Sequence, residues 1–403
     1  MKVLFLTIST ITDIKQPGIY TDLLRQFIEN NHSVSIITAK QKREGGKTEL
    51  IDEENLRILR VRTGNITKTK PIEKAISQML LENQYIEAIK KFFKNEKFDI
   101  VLYATPPITF EKVIRYVKKR DLAKSYLLLK DIFPQNAVDL NLIKKNGPIY
   151  HFFRRKERKL YQVSDYIGCM SQKNIDYLLS HNSVNPTRVE INPNSIDVNN
   201  LAYSSSNRVG KKKKLFRKKY GILDSQTIYI YGGNLGKPQG LDFFLEFLTN
   251  SNKEKSFFVI VGSGTESKKV TNFISENRLT NVLFLDRVSR DEYNEIEMCS
   301  DVGLVFLDRR FSIPNIPSRI LGYMEKGLPV IAATDTSTDL KEMIESGGFG
   351  RWSEHGNIDD FSDNIELLYD PETRDIMGKR SNQFLKNHFS VQNSYEIIMK
   401  HFN

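Results

Sequence analysis

The sequence predicts an α/β protein built from two modules in series, each with a mostly parallel sheet covered by helices. Three observations carry this. Near-continuous apolar β-type runs recur along all 403 residues and alternate with amphipathic helical patterns. Runs without polar alternation suit strands buried on both faces, the mark of parallel sheets. The charge also changes sign along the chain. Residues 1–200 hold 33 Lys/Arg against 22 Asp/Glu, 201–220 hold eight basic residues and no acid, and 221–403 hold 19 against 27.

In the first module VLFLTIS, VSIITA, LRILRV, FDIVLYA, SYLLLKD and DYIGCM read as strands. Helices fit between most of them, for example Tyr20–Asn30 and Phe110–Arg120. The polar, basic stretch Thr63–Ser77 reads as a loop. The second module repeats the rhythm with TIYIYGG, FFVIVGSG, NVLFL, DVGLVFL and LPVIAAT. Predicted boundaries are 1–200 for the first domain, a basic linker or loop at 201–220, and 221–387 for the second. The amphipathic tail from about 388 to 403 is expected to pack back on the first domain. Gly327 and Pro329 close a short helix in NIPSRILGYMEKGLPVIAATD, since glycine fits a left-handed cap and proline cannot continue. Gly322 within that helix is unexpected, because mid-helix glycine costs about 1 kcal/mol relative to alanine.

The start, MKVLFLTISTITD, reads as a buried first strand rather than a signal peptide. Its apolar run is short, contains Thr and Ser, and lacks a small-residue cleavage site. No run reaches the roughly 18 apolar residues that span a bilayer. Cys169 and Cys299 each sit at an apolar segment, which suits a reducing cytoplasm and supplies no metal cluster. The net charge of +11 suggests a polyanionic partner. Nucleic acid is disfavoured, because no zinc-finger, RRM or KH signature is present and the basic stretches lack a regular pattern of base-stacking aromatics. An anionic membrane surface fits better.

Parallel sheets bind ligands outside the carboxyl ends of their strands. Four strand-end loops stand out. Gly18 precedes a helix after the first strand, where backbone amides can approach an anion. Gly233, Asn234 and Lys237 follow TIYIYGG, and Gly262 and Gly264 follow FFVIV. Ser318 and Arg319 open the short helix after DVGLVFL. Glycine turns, helix amino ends and two cations together describe a diphosphate site. The P-loop, the dinucleotide fingerprint G-x-G-x-x-G after the first strand and the G-x-S-x-G elbow are all absent. His32 reads as a turn residue before a strand.

The order and spacing of these motifs resemble family 4 glycosyltransferases, which have the GT-B fold: two Rossmann-like domains with parallel sheets facing across a cleft. GIYTDLLRQFIENNHSVSIITA is similar to that family's opening helix and second strand, and INPNSID to its I-P-N-G-V-D element. YGGNLGKPQGLD resembles the glycine loop of its second domain. FLDRVSRDEYNEIEMCSDVGLVFL resembles the segment running past the nucleotide base. NIPSRILGYMEKGLPVIA resembles its donor-binding helix, and DIFPQNA resembles D-x-W-P-E-S-A of the bacterial capsule and O-antigen subgroup that includes N-acetylfucosaminyl transferases.

The resemblance implies retaining transfer of a sugar, such as an N-acetylated deoxyhexosamine, from a UDP-sugar to a polyprenyl-diphosphate-linked saccharide, without a bound metal or other cofactor. Gly18, Gly233, Asn234, Lys237, Ser318 and Arg319 would hold the diphosphate; Gly262, Gly264, Arg287 and Val288 would border base and ribose. Many members place two Glu residues where this chain has Pro314 and Gly322. Asp131, ending SYLLLKD, is the catalytic candidate, orienting the acceptor hydroxyl or taking its proton. In NLIKKNGPIYHFFRRKERKLYQ (141–162), Tyr150, Phe152 and Phe153 beside Arg154 and Arg155 suit a helix lying in the headgroup plane at the inner membrane face. Two alternatives remain at this stage: a sugar-nucleotide epimerase of the same fold, and a silent membrane-bound partner of a polysaccharide assembly complex.

Overall fold

A computed structural model describes residues 1–66, 69, 71–199 and 207–402. It divides into two compact units, Met1–Asp197 with Val391–Asn403, and Val198–Ser390.

The first unit contains strands β1 (Lys2–Leu6), β2 (Ser33–Gln41), β3 (Glu49–Glu53), β4 (Leu56–Thr63), β5 (Ile100–Ala104), β6 (Lys124–Leu129), β7 (Tyr166–Cys169) and β8 (Val189–Ile191). They form one sheet in the order β3-β4-β2-β1-β5-β6-β7-β8. Every described pairing is parallel except β3 with β4. On one face Leu81, Tyr85, Val113, Val117, Leu160 and Leu178 form a core with the sheet. These residues come from helices Pro71–Phe92, Glu111–Asp121, Pro148–Val163 and Gln172–His181. The other face packs helices Ile19–Glu29 and Val391–Met399 through Leu24, Phe27 and Ile398. The carboxyl-terminal helix is fastened by polar contacts as well. Ser394 Oγ donates to Asn192 Oδ1 at 2.7 Å, and Tyr395 OH meets His32 Nε2 at 2.9 Å. His32 is thus a buried tie to the chain's end, with a pKa lowered chiefly by burial.

The second unit contains β9 (Thr227–Asn234), β10 (Ser256–Ser263), β11 (Val282–Leu285), β12 (Val302–Phe306), β13 (Val330–Thr334) and β14 (Gly350–Glu354). Their order is β11-β10-β9-β12-β13-β14, and all described pairings are parallel. Phe244, Phe306 and Phe361 belong to the core beneath it. The strand order reverses direction between β9 and β12, and ligands bind outside the carboxyl ends of strands at such a switch point.

Two expectations from sequence need correction. The stretch 201–220 is not a loop throughout, because Asn207–Tyr220 is a helix; its residues 201–206 lie outside the described residues. Unbranched Lys and Arg are good helix formers, and acids anchor the cations: Lys212 pairs with Glu295 at 2.5 Å, and Lys213 and Arg217 with Asp301. The loop expected over Thr63–Ser77 ends early, since a helix starts at Pro71. Proline at a first helical turn lacks only an amide that has no partner there anyway. Three strands, β3, β8 and β14, have no counterpart in the sequence reading. Each is at or next to a sheet edge and mixes polar with apolar residues.

Candidate functional site

At the carboxyl end of β9 the chain passes through Gly232, Gly233 and Asn234, then makes a tight turn over Lys237–Gln239. Gln239 braces the turn. Its buried Oε1 accepts from Asn234 Nδ2 at 3.2 Å and from the Gly236 amide at 3.1 Å. Gly233 has φ 120°, a conformation open mainly to glycine. The β10 loop lies directly alongside, in the register Gly262 to Gly233. A Cβ on Gly262 would run into the Gly233 carbonyl, and one on Gly264 into the Leu235 carbonyl. The two glycine loops are therefore a single backbone-lined surface, and any side chain at these positions would force them apart.

Arg319 enters this surface from the helix Arg319–Glu325 that follows β12. Its guanidinium lies 3.6 Å from the point where a Gly233 Cβ would stand and 4.5 Å from the centre of the Tyr231 ring. Its Nη1 is buried and has no hydrogen-bond partner. Among the described residues no carboxylate pairs with it. Burial opposes its charge, yet the surrounding Tyr231 and Tyr323 leave its pKa above the ordinary value, so it stays a cation. A partly desolvated cation with an unmet donor is costly unless an anion completes it. Lys237 is exposed on the rim, with no ion-pair partner among the described residues.

Other candidates are placed less directly. Ser318 is exposed and caps nothing with its side chain. The amides of Ile320 and Leu321 bond to Pro317 and Ser318 carbonyls, and the helix spans only seven residues. Anion recognition here rests on the guanidinium rather than on a helix end. Arg287 is exposed and Val288 half-buried in the turn after β11, two strands away from β9.

Gly322 has a physical explanation that the sequence did not show. A Cβ there would stand 3.0 Å from Glu297 Oε1. Glu297, buried on the neighbouring helix Arg290–Cys299, occupies the space that a side chain at Gly322 would take. Burial pushes its carboxyl up to about 7, against the lowering effect of Tyr293. The Tyr293 hydroxyl in turn covers Gly232, and Tyr323 OH accepts from the Gly232 amide at 3.1 Å. Tyr231, Tyr293, Tyr323 and Glu297 were missed from sequence. They come from three separate elements and share no motif.

In the first unit Asp131 follows β6, where its backbone amide donates to Thr105 Oγ1 at 3.1 Å. Its carboxylate is half-buried and accepts no hydrogen bond among the described residues. Burial raises it to about 6. The adjacent Lys130 is lowered to about 7 by burial and donates to the Asn192 carbonyl at 3.1 Å.

Gly18 differs from the expectation. Its amide donates to Asp22 Oδ1 at 2.8 Å, and Asp22 also binds Arg25 at 2.5 Å and the Asp197 amide at 3.1 Å. The chain's own carboxylate already occupies the place proposed for a phosphate.

The helix Pro148–Val163 divides the membrane candidates. Phe152 and Arg155 are exposed and Tyr150 is half-buried. Phe153 instead turns inward, its ring 4.9 Å from that of Phe133. Arg154 pairs with Glu157 and the His181 carbonyl. These two residues anchor the helix, because their spacing puts them on its buried side.

Residues 212–384 match the family described as Glycosyl transferases group 1. This match lies within the second unit. The enzyme is 20% identical over 291 residues to the probable glycosyltransferase WbjE of Pseudomonas aeruginosa, covering 70% of this chain and 68% of that protein. It is 21% identical over 266 residues to the putative colanic acid biosynthesis glycosyl transferase WcaI of Escherichia coli, covering 64% of each chain. Among solved structures, Anabaena HepE in complex with UDP superposes with a TM-score of 0.68 at 14% identity, over 100% of this chain and 99% of that one. This last likeness speaks for the GT-B fold.

Proposed function

We propose that the enzyme transfers a sugar from a UDP-sugar, with retention at the anomeric carbon, to a polyprenyl-diphosphate-linked saccharide in the synthesis of a bacterial surface polysaccharide. The observation that carries this reading is Arg319, half-buried and cationic against the glycine loop at the β9/β12 switch point, with its buried Nη1 unpartnered. A nucleoside diphosphate supplies the missing anion. Negative charge grows on the leaving phosphate oxygen as the glycosidic bond breaks, so a cation already in place accelerates departure. Lys237 adds charge at the rim. WcaI, a relative by sequence, is described as a colanic acid biosynthesis enzyme, and HepE was solved with UDP; both agree with this reading.

On the acceptor side Asp131 orients the attacking hydroxyl or takes its proton. A carboxylate with a value near 6 is a better base than an ordinary aspartate and is still largely ionised at neutral pH. The transferred sugar fits the N-acetylated deoxyhexosamine class only by the likeness of DIFPQNA to the capsule subgroup. No step needs a metal, and turnover is expected to persist in EDTA.

The exposed Phe152 and Arg155 on helix Pro148–Val163, with Lys144 and Lys145 before it, bring the enzyme to an anionic inner membrane face. Each cation near such a surface contributes about 1 kcal/mol. Phe153 ties this helix to Phe133, two residues beyond Asp131, so membrane contact and acceptor site belong to one end of the first unit.

UDP release measured with and without a lipid-linked saccharide tests the reaction. Acceptor-dependent release supports transfer. Interconversion of the sugar nucleotide alone identifies an epimerase, and absence of any chemistry identifies a silent partner. Flotation with phosphatidylglycerol vesicles tests the membrane part, which fails if the protein stays in the soluble fraction at low salt.

A further inference from the structure

We propose that helix Pro71–Phe92 is a second membrane-contacting element, and that its amino-terminal end enters an anionic bilayer interface together with that of helix Pro148–Val163. This rests on the membrane reading above and extends it to a part of the chain with no basic-aromatic signature.

Both helices pack on the same face of the first sheet, on either side of helix Glu111–Asp121. Glu82 joins all three. Its Oε1 accepts from the Lys112 amide at 2.8 Å, and its Oε2 accepts from Lys156 Nζ at 2.9 Å. Glu82 therefore marks where the middle helix begins, on both of its neighbours. Beyond that level Pro71–Leu81 adds eleven residues and Pro148–Arg155 adds eight. At 1.5 Å per residue these ends extend about 16 Å and about 12 Å further. Crossover helices between parallel strands start near the carboxyl edge of the sheet, so both ends project at the edge that carries Asp131.

Among the described side chains, both projecting ends present large apolar residues to water. Ile76, Met79 and Leu80 are 53%, 64% and 48% exposed, and Ile149 and Phe152 are 61% and 43% exposed. Ile76, Met79 and Leu80 have the i, i+3, i+4 spacing of one helix face, while Ser77, Leu81 and Tyr85 on the other face are buried. Large apolar side chains grouped in this way mark an interaction surface rather than ordinary scatter. Charge selects the occupant. Lys144, Lys145 and Arg155 are exposed nearby and have no acid partner among the described residues. Anionic headgroups complement them, whereas a second copy of the chain would bring the same cations into opposition. Apolar side chains below the headgroups and cations at their level are the arrangement of an interfacial anchor.

Tryptophan placed at each helix end, one at a time in the full chain, tests this. Trp352, the chain's single tryptophan, lies in the second unit and supplies the baseline. Vesicles of phosphatidylglycerol with brominated acyl chains are expected to quench the added emission of both Met79→Trp and Phe152→Trp by roughly half, as for rings held among acyl chains. Quenching of Phe152→Trp alone overturns the role of helix Pro71–Phe92 and leaves the membrane reading standing. Quenching of neither overturns both. A blue shift of Met79→Trp that grows with protein concentration in the absence of lipid assigns the face to a second copy and also overturns the proposal. Unchanged thermal unfolding of each variant confirms that the probe sits on the surface.

Discussion

Two strand-to-helix turns, one in each unit, look alike in sequence and have opposite electrostatics. After β1, Gly18 leads into a helix and its amide is taken by Asp22, which Arg25 also neutralises. After β9, Gly233 leads into a turn whose amides bind no carboxylate among the described residues, and the Arg319 guanidinium lies against the glycine with one nitrogen unpartnered. Of the acids near this second turn, Asp308 is paired with Arg310 and Glu297 is held beside Gly322, with burial raising the Glu297 carboxyl to about 7. A glycine at a strand end thus says only that backbone can come close. Whether an anion is wanted depends on which charges the rest of the unit brings to the turn.

The largest effect is expected from removing the cation that makes the difference. Arg319→Ala should lower kcat/KM by about 10²–10³-fold, the usual cost of losing one preorganised donor to a developing oxyanion. Arg319→Lys should recover part of the loss, because a compact ammonium keeps the charge but not the planar fork. If Arg319→Ala keeps wild-type kcat/KM with UDP-sugar, the second turn is no more an anion site than the first.

A smaller loss, on the order of 10–100-fold in kcat, is expected for Asp131→Asn. The wild-type rate should rise with pH through about 6 as the carboxylate forms, and the variant should lose that acid limb. Stability moves the other way. The folded value lies above that of an unfolded aspartate, so folding favours the neutral acid; the stability this contributes is full below about pH 4 and is lost as pH rises through 6. At pH 7.5 the Asn variant should therefore melt slightly higher than wild type, and a lower melting temperature would mean that Asp131 has a structural partner.

Glu297 and Gly322 sharpen the comparison at the level of packing. Gly322→Ala should destabilise by about 1–2 kcal/mol, because its Cβ would press on Glu297 Oε1. In a Glu297→Ala background the same change should become neutral or stabilising, since alanine is worth about 1 kcal/mol over glycine in a helix. A double-mutant cycle by urea unfolding reads the coupling. Additive effects would show that Glu297 does not account for the glycine.

The two-module α/β organisation was legible because parallel strands buried on both faces are written as unbroken apolar runs, and β1, β2, β5, β9, β10, β12 and β13 are such runs. The strands β3, β8 and β14 were not, because edge positions admit Glu, Asp, Arg and Ser and lose the signal. At the site, the glycine loops and Arg319 could be named from spacing at strand ends. Their electrostatic state could not. Asp22 lies four residues beyond Gly18 and reads equally well as an exposed first-turn acid. Glu297 lies 25 residues before Gly322, and only the packing of two helices brings them together. Helix Pro148–Val163 shows the same limit: composition marked Phe153 and Arg154, but the contacts that turn them inward, with Phe133 and Glu157, come from the packing.

The smallest effect belongs to the first turn. Gly18 has an extended backbone, φ 169°, open to any residue, and an added Cβ would meet only the Thr21 hydroxyl at 3.1 Å. Gly18→Ala should leave the KM for UDP-sugar within about twofold, since the amide still donates to Asp22 and carries no donor contact. Gly233→Ala is its counterpart. There φ is 120° and the Cβ would stand against the Arg319 guanidinium, so a clear rise in KM is expected beside a folded, monodisperse protein. Should Gly18→Ala raise KM as much as Gly233→Ala does, Asp22 must release the Gly18 amide during turnover. The first turn would then be a phosphate site held shut by its own carboxylate, and the contrast between the units would be one of state rather than of design.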